Sequence, residues 1–210
     1  MPLRGLLIDL DNTLVDRDEA LRRYLRARGY DELVGLIGPR HVGMWTLARM
    51  LLARYELPES TPSQLARRIR AELPATMPRT PAVRARLESL ATEGYRLALV
   101  SNGGGRTQRA KLEAAGLDVE LFDAICISEE RRVAKPDPGL FELALEEIGV
   151  EPGSAMMIGD SPEHDVLGAR GVGVRSCWLA RGREYPAQMP RPDWVTEDFA
   201  AACERVLAAR

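Results

Sequence analysis

Cysteine is scarce in this sequence: three in 210 residues, at positions 126, 177 and 203, with no Cys-x-x-Cys pair. That spacing indicates neither a zinc site nor a disulfide framework. Cys126 and Cys177 lie in apolar runs and read as small buried hydrophobes. No apolar stretch approaches the roughly 20 residues that span a bilayer, and the opening Met-Pro-Leu-Arg-Gly lacks the apolar segment of a secretory leader. The formal net charge is only −2, so no global attraction to nucleic acid or anionic membrane is expected. Internal repeats and low-complexity tracts are also missing. These absences predict a cytoplasmic protein that binds neither nucleic acid nor membrane, and they leave monomer and homodimer equally open. What remains, 45% hydrophobic and 29% charged residues, suits one sizeable domain or a core domain with a small companion.

The chain alternates between two kinds of segment. Strand-like runs cover Leu6 to Leu10, Arg96 to Val100, Ala124 to Ile127, Ala155 to Ile158 and Val174 to Leu179. Helical patterns cover Arg106 to Ala115, Gly139 to Ile148, Glu163 to Ala169 and Phe199 to Ala209. Gly116 and Gly149 stand where helix C-caps belong. Such alternation predicts an α/β fold, a Rossmann-like doubly wound parallel sheet with right-handed crossovers.

Residues 16–80 break that rhythm. They show helical patterns at Ala20 to Ala27, Val42 to Tyr55 and Ser63 to Ala71 with no strand between, and Pro58, Pro62, Pro74, Pro78 and Pro81 punctuate the stretch and its exit. A small all-helical cap domain is expected at 16–80, inserted into a core formed by 1–15 and 81–210. The insert holds 12 Arg and no Lys against 8 acidic residues, a balance of 12 − 8 = +4. A positive lid over a site built from acids would suit an anionic substrate.

Four clusters follow the predicted strands. The first is Asp9-Leu10-Asp11-Asn12-Thr13, two carboxylates at alternate positions where a parallel sheet binds its ligands. Two acids so close call for a divalent cation or a shared proton. The second, Ser101-Asn102-Gly103-Gly104-Gly105, combines a hydroxyl, an amide and a flexible turn before a helix, and reads as an anion cradle of backbone N–H groups. In the third, Lys135-Pro136-Asp137-Pro138, prolines hold a lysine in extended geometry at the start of a helix. The fourth is Gly159-Asp160-Ser161, with Asp165 one helical turn further on.

In this order and spacing the clusters closely resemble the four motifs of the haloacid dehalogenase superfamily, in its phosphatase branch. The insert falls where one subclass of that family carries a helical cap. Ser101-Asn102-Gly103, Gln108, Lys111-Leu112, Ile127-Ser128-Glu129-Glu130, Val133-Ala134-Lys135-Pro136 and Cys177-Trp178-Leu179 look most like its 5′-nucleotidase and N-acylneuraminate-9-phosphatase relatives. The resemblance implies an Mg²⁺-dependent phosphatase acting on a small-molecule phosphate ester, such as a nucleotide or sugar phosphate, through an aspartyl-phosphate. It implies Asp9 as nucleophile and Asp11 as acid and base. Lys135 would offset charge between nucleophile and phosphoryl group. Ser101, Asn102, Thr13 and Lys135 would line the substrate site. Asp9, the Asp11 backbone carbonyl and Asp160 would hold the metal, with Asp165 orienting its outer shell.

Other readings fare less well. An EF-hand loop starting at Asp9 would need Gly and Glu where the chain has Leu14 and Ala20. Dehalogenation needs no acid at the place of Asp11. A sugar phosphomutase shares every part, and a phosphate-binding regulatory module without activity is the non-enzyme alternative. His164, between Asp160 and Asp165, is expected at a loop position contacting solvent or an acid, since Mg²⁺ prefers oxygen. Arg40, His41 and Trp45 are expected between the first two cap helices, either near the leaving group or, for Trp45, in the cap core.

Overall fold

The computed structural model describes residues 2–38 and 42–209. The chain forms two compact units, residues 1–15 with 79–210, and residues 16–78. The larger unit is built on six parallel strands: β1 (Gly5–Ile8), β2 (Arg96–Ser101), β3 (Ala124–Ile127), β4 (Ala155–Gly159), β5 (Arg175–Leu179) and β6 (Trp194–Thr196). Their spatial order is β3-β2-β1-β4-β5-β6, so the chain starts at the centre, winds to one edge, and then crosses to the other. Leu7 pairs with Ala98 on one side and Met157 on the other. Alternate strand residues point to opposite faces, and both sets are buried. On one face Leu7, Ala98, Val100, Cys126 and Met157 pack with Leu140, Phe141 and Ala144, while Leu6, Ile8, Leu97 and Leu99 on the other face are fully buried too. Burial on both faces is why these strands read as continuous apolar runs rather than as alternation.

In chain order the helices are α1 (Arg17–Arg26), α2 (Met44–Arg54) and α3 (Pro62–Glu72) in the smaller unit. The larger unit holds α4 (Pro81–Thr92), α5 (Gly105–Ala115), α6 (Ser128–Arg131), α7 (Pro138–Ile148), α8 (Gly168–Gly171) and α9 (Phe199–Ala208). Gly116 and Gly149 end α5 and α7 in the left-handed conformation, φ 77° and 65°, where a Cβ would be strained. Helix α4 escaped the sequence pattern because Pro81 reads as punctuation, whereas it occupies the first helical turn, where a missing N–H costs nothing. Strand β6 is three residues long, too short for a periodic signal. The expected helix from Glu163 is instead a π-helical turn over Pro162–Leu167 running into α8.

The smaller unit is helical. Asp16 caps α1 by accepting from the Glu19 N–H at 3.0 Å, which starts the helix earlier than its apolar pattern suggests. Thr61 and Gln64 form a reciprocal capping box on α3. Leu21, Leu25, Leu47, Leu51, Leu65 and Ile69 are buried. The Tyr24 hydroxyl donates to Glu72 at 3.0 Å, and Arg28 lies over the Tyr24 ring while pairing with the same carboxylate at 2.7 Å. The three cysteines are buried free thiols, and no helix among the described residues is long and apolar enough to cross a membrane.

Candidate active site at the strand tips

Strand β1 ends at Ile8, level with Leu99 and Ile158 on its neighbours. It stops before the two acids rather than running through Leu10. The Asp9 N–H still donates to the Ile158 carbonyl at 3.0 Å, and then the chain folds tightly: the Leu10 carbonyl accepts from Thr13, Leu14 and Val15. Asn12 takes a left-handed φ of 61°, a conformation that Asn tolerates better than most residues. Asp9 and Asp11 therefore leave a turn, not a strand, and their side chains enter different surroundings.

Asp9 is buried with a second acid-rich strand tip. Ligand oxygens of Asp9, Asp160 and Asp165 all lie within 4.8 Å of one another. The Lys135 ammonium has three acceptors at 2.7 Å each: Asp9 Oδ1, Asp165 Oδ1 and the Val100 carbonyl. An ammonium has three donors, so this set saturates it. Burial pushes the Asp9 carboxyl up to about 7; Lys135 opposes that shift, and Asp165 and Asp160 add to it. Burial alone would weaken the charged form of Lys135, but the Asp165 and Asp9 carboxylates outweigh it and raise its pKa. Three acids against the Lys135 ammonium and the Arg183 guanidinium leave the cluster short of positive charge, and its ligand atoms are all hard oxygens. A Mg²⁺ ion fits that set.

Asp165 owes its place to a glycine and a turn. Its Oδ2 accepts from the Ser161 N–H at 2.9 Å. A Cβ built on Gly159 would clash with that carboxylate and stand 2.8 Å from the Asp165 Cβ, so any larger residue there must displace Asp165. Asp160 is held from behind. Its carbonyl accepts from the Trp178 indole N–H at 2.9 Å and from Arg183 at 2.8 Å, and Arg183 also reaches its Oδ2 at 3.2 Å. Nothing in the local sequence marks Arg183 as a partner of Asp160.

Asp11 lies on the other side of the turn. Lys111 Nζ, on α5, donates to both of its oxygens at 2.8 and 2.7 Å. Gln108 Nε2, one turn earlier, reaches Asp11 Oδ2 at 3.3 Å, Ser101 Oγ at 2.7 Å and the Asn102 carbonyl at 3.2 Å. Ser101 thus stands at the tip of β2 with its hydroxyl tied to Gln108. The Asn102 side chain clamps the main chain of Lys135 reciprocally: its amide donates to the Lys135 carbonyl and its oxygen accepts from the Lys135 N–H, both at 2.8 Å. The Lys135–Pro136 bond is cis. Among the described residues, the buried Thr13 hydroxyl has no hydrogen-bond partner, an orphan polar atom in the same turn as the two acids.

The glycine turn is not the open anion cradle that its composition suggests. The Gly105 N–H at the start of α5 donates to Glu129 Oε2 at 2.8 Å, so a carboxylate of the chain itself occupies that helix end. His164 lies in the π-helical turn rather than a loop, exposed, with Nδ1 3.0 Å from the Ser161 hydroxyl. Trp45 is half exposed on α2 beneath the Arg49 guanidinium, not in the core of the helical unit. Arg40 and His41 lie outside the described residues.

A family model described as haloacid dehalogenase-like hydrolase matches residues 3–173. A phosphoserine phosphatase of Thermus thermophilus is 46% identical over 122 residues, 58% of this chain and 49% of the relative. A pyrimidine 5′-nucleotidase of Escherichia coli is 40% identical over 106 residues, 50% of this chain and 46% of the relative. The chain spans about half the length of these curated relatives. Among solved structures, a HAD phosphatase from Thermococcus onnurineus superimposes with a TM-score of 0.66 at 26% identity, covering 99% of both chains.

Proposed function

Because this chain belongs to the haloacid dehalogenase-like hydrolase family, we propose that it is a Mg²⁺-dependent phosphatase that cleaves a small-molecule phosphate monoester through Asp9. One observation carries the reading: a buried aspartate at a central strand tip, 2.7 Å from Lys135 and clustered with Asp160 and Asp165, two residues before a second acid. Asp9 and Asp160, with the Asp11 main-chain carbonyl, would hold Mg²⁺, and Asp165 would act from its outer shell. When bound, the ion supplies positive charge against the phosphoryl oxygens.

The chain's own groups account for the rest. An Asp9 oxygen forms a bond to phosphorus as the ester P–O bond breaks, and the leaving oxygen takes a proton from Asp11. Water then gives a proton to Asp11 and attacks the aspartyl-phosphate, releasing phosphate and restoring Asp9. Lys135 offsets negative charge between nucleophile and phosphoryl group. The Ser101 hydroxyl, the Asn102 N–H and the orphan Thr13 hydroxyl bind phosphoryl oxygens.

A nucleotide or sugar phosphate is the substrate class we assign. Selection among leaving groups is assigned to residues 16–78, which interrupt the chain directly after the Asp9 turn. The test is Mg²⁺-dependent phosphate release from p-nitrophenyl phosphate, followed by a panel of phosphorylated metabolites. Asp9→Asn should lower turnover by at least about 10⁴-fold, as loss of a nucleophile does elsewhere. A wild-type protein without turnover, or a fully active Asp9→Asn variant, would overturn the reading.

A further inference from the structure

The 29 basic residues comprise 27 arginines and two lysines, Lys111 and Lys135. Both lysines are buried, 5% and 3% exposed, and each is paired to one acid of the Asp9–Asp11 turn. Everywhere else in this chain, positive charge is carried by arginine. The two exceptions share a physical reason. A compact ammonium can sit end-on to a carboxylate in a tight space, whereas a planar guanidinium needs room for its fork. Lys135 already has a place in the proposed chemistry. Lys111 has none.

We propose that Lys111 is a positioning residue for Asp11, fixing the carboxylate where it meets the leaving-group oxygen. Three observations support it. Lys111 Nζ lies 2.8 Å and 2.7 Å from the two Asp11 oxygens, so it holds both ends of the carboxylate at once. Gln108 Nε2 spans Asp11 and Ser101, and thereby links the acid to the hydroxyl assigned to the phosphoryl group. Both side chains come from α5, an 11-residue helix, spaced three residues apart so that they share one face. When Asp11 carries the proton meant for the leaving group, one oxygen can stay on Lys111 while the other presents the proton.

This inference rests on the phosphatase reading, and its test separates the two. The kcat/KM of wild type and Lys111→Met is measured on p-nitrophenyl phosphate, whose leaving group departs without a proton, and on phenyl phosphate, whose more basic oxygen needs one. General acid catalysis contributes roughly 10²–10⁴-fold where it is needed. Lys111→Met should therefore lose at least about tenfold more on phenyl phosphate than on p-nitrophenyl phosphate. Equal losses on the two esters, or no loss on either, would show a merely structural lysine and overturn the proposal. Should Lys111→Met fail to fold, Lys111→Gln, which also lacks the ammonium, carries the same comparison with the same two outcomes. A wild type inert on both esters removes the phosphatase reading, and the role of Lys111 with it.

Discussion

Asp9 and Asp11 are two residues apart, yet they occupy opposite kinds of environment. Asp9 is buried, its ammonium partner has no donor to spare, and two further acids crowd it. Asp11 has a side chain 22% exposed, both oxygens against one lysine, and a neutral amide beside it. Burial and crowding hold a group still and make its charge expensive, which suits a nucleophile that must take a phosphoryl group in line. Partial exposure lets water reach Asp11, which suits a group proposed to pass a proton. The turn that begins as soon as β1 ends is what divides them.

The hardest test of the contrast is removal of the cation at the buried end. Lys135→Met would leave Asp9 and Asp165 without their shared partner. Breaking a buried ion pair from one side costs about 3–5 kcal/mol, so urea denaturation should show a loss of that size; a loss under about 1 kcal/mol would mean the cluster is not the buried, tightly paired group described.

Metal addition probes the same end with less violence. An ion that binds only the folded state at a hundredfold excess over its Kd stabilises by about 2.7 kcal/mol, a rise in Tm of roughly 5–10 °C for a chain this size. Mg²⁺ should raise the melting temperature of the wild type, and Asp160→Asn should abolish the rise. Gly159→Ala is a subtler version, because the new methyl would displace Asp165 rather than remove it. It should destabilise by about 1–3 kcal/mol and blunt the Mg²⁺ response, both visible in one thermal-shift series. At the small end stands Arg109, whose pair with Glu130 spans 3.0 Å with side chains 45% and 33% exposed. Exposed pairs are worth about 0–1 kcal/mol, so Arg109→Ala should barely move the denaturation midpoint, on the same helix that carries Lys111.

Much of this molecule was legible as a string. Ala124 to Ile127 matches its strand residue for residue, and the other four predicted strands are right to within two residues at either end. Buried parallel strands announce themselves as unbroken apolar runs, and Gly116 and Gly149 mark helix ends because only the left-handed conformation closes them so. Errors arose where one residue type serves two purposes. Proline both breaks helices and begins them, which hid α4. Glycine-rich turns cradle anions, yet this one is filled by Glu129 from another segment. Lys111, Gln108 and Arg183 went unread as parts of the site, although the rarity of lysine was a signal in plain view.

The linear order of residues was enough to establish an alternating α/β architecture, an interruption after the first strand, and acids at the tips of strands far apart in the chain. Those are properties of local pattern: apolar periodicity, turn chemistry and spacing along one segment. Which lysine would face which acid, and that Arg183 would brace Asp160, depended on register between strands and on a helix laid beside a turn a hundred residues away. Side-chain tips reach only a few ångströms, so such pairings come into being only once packing has set the backbones in place.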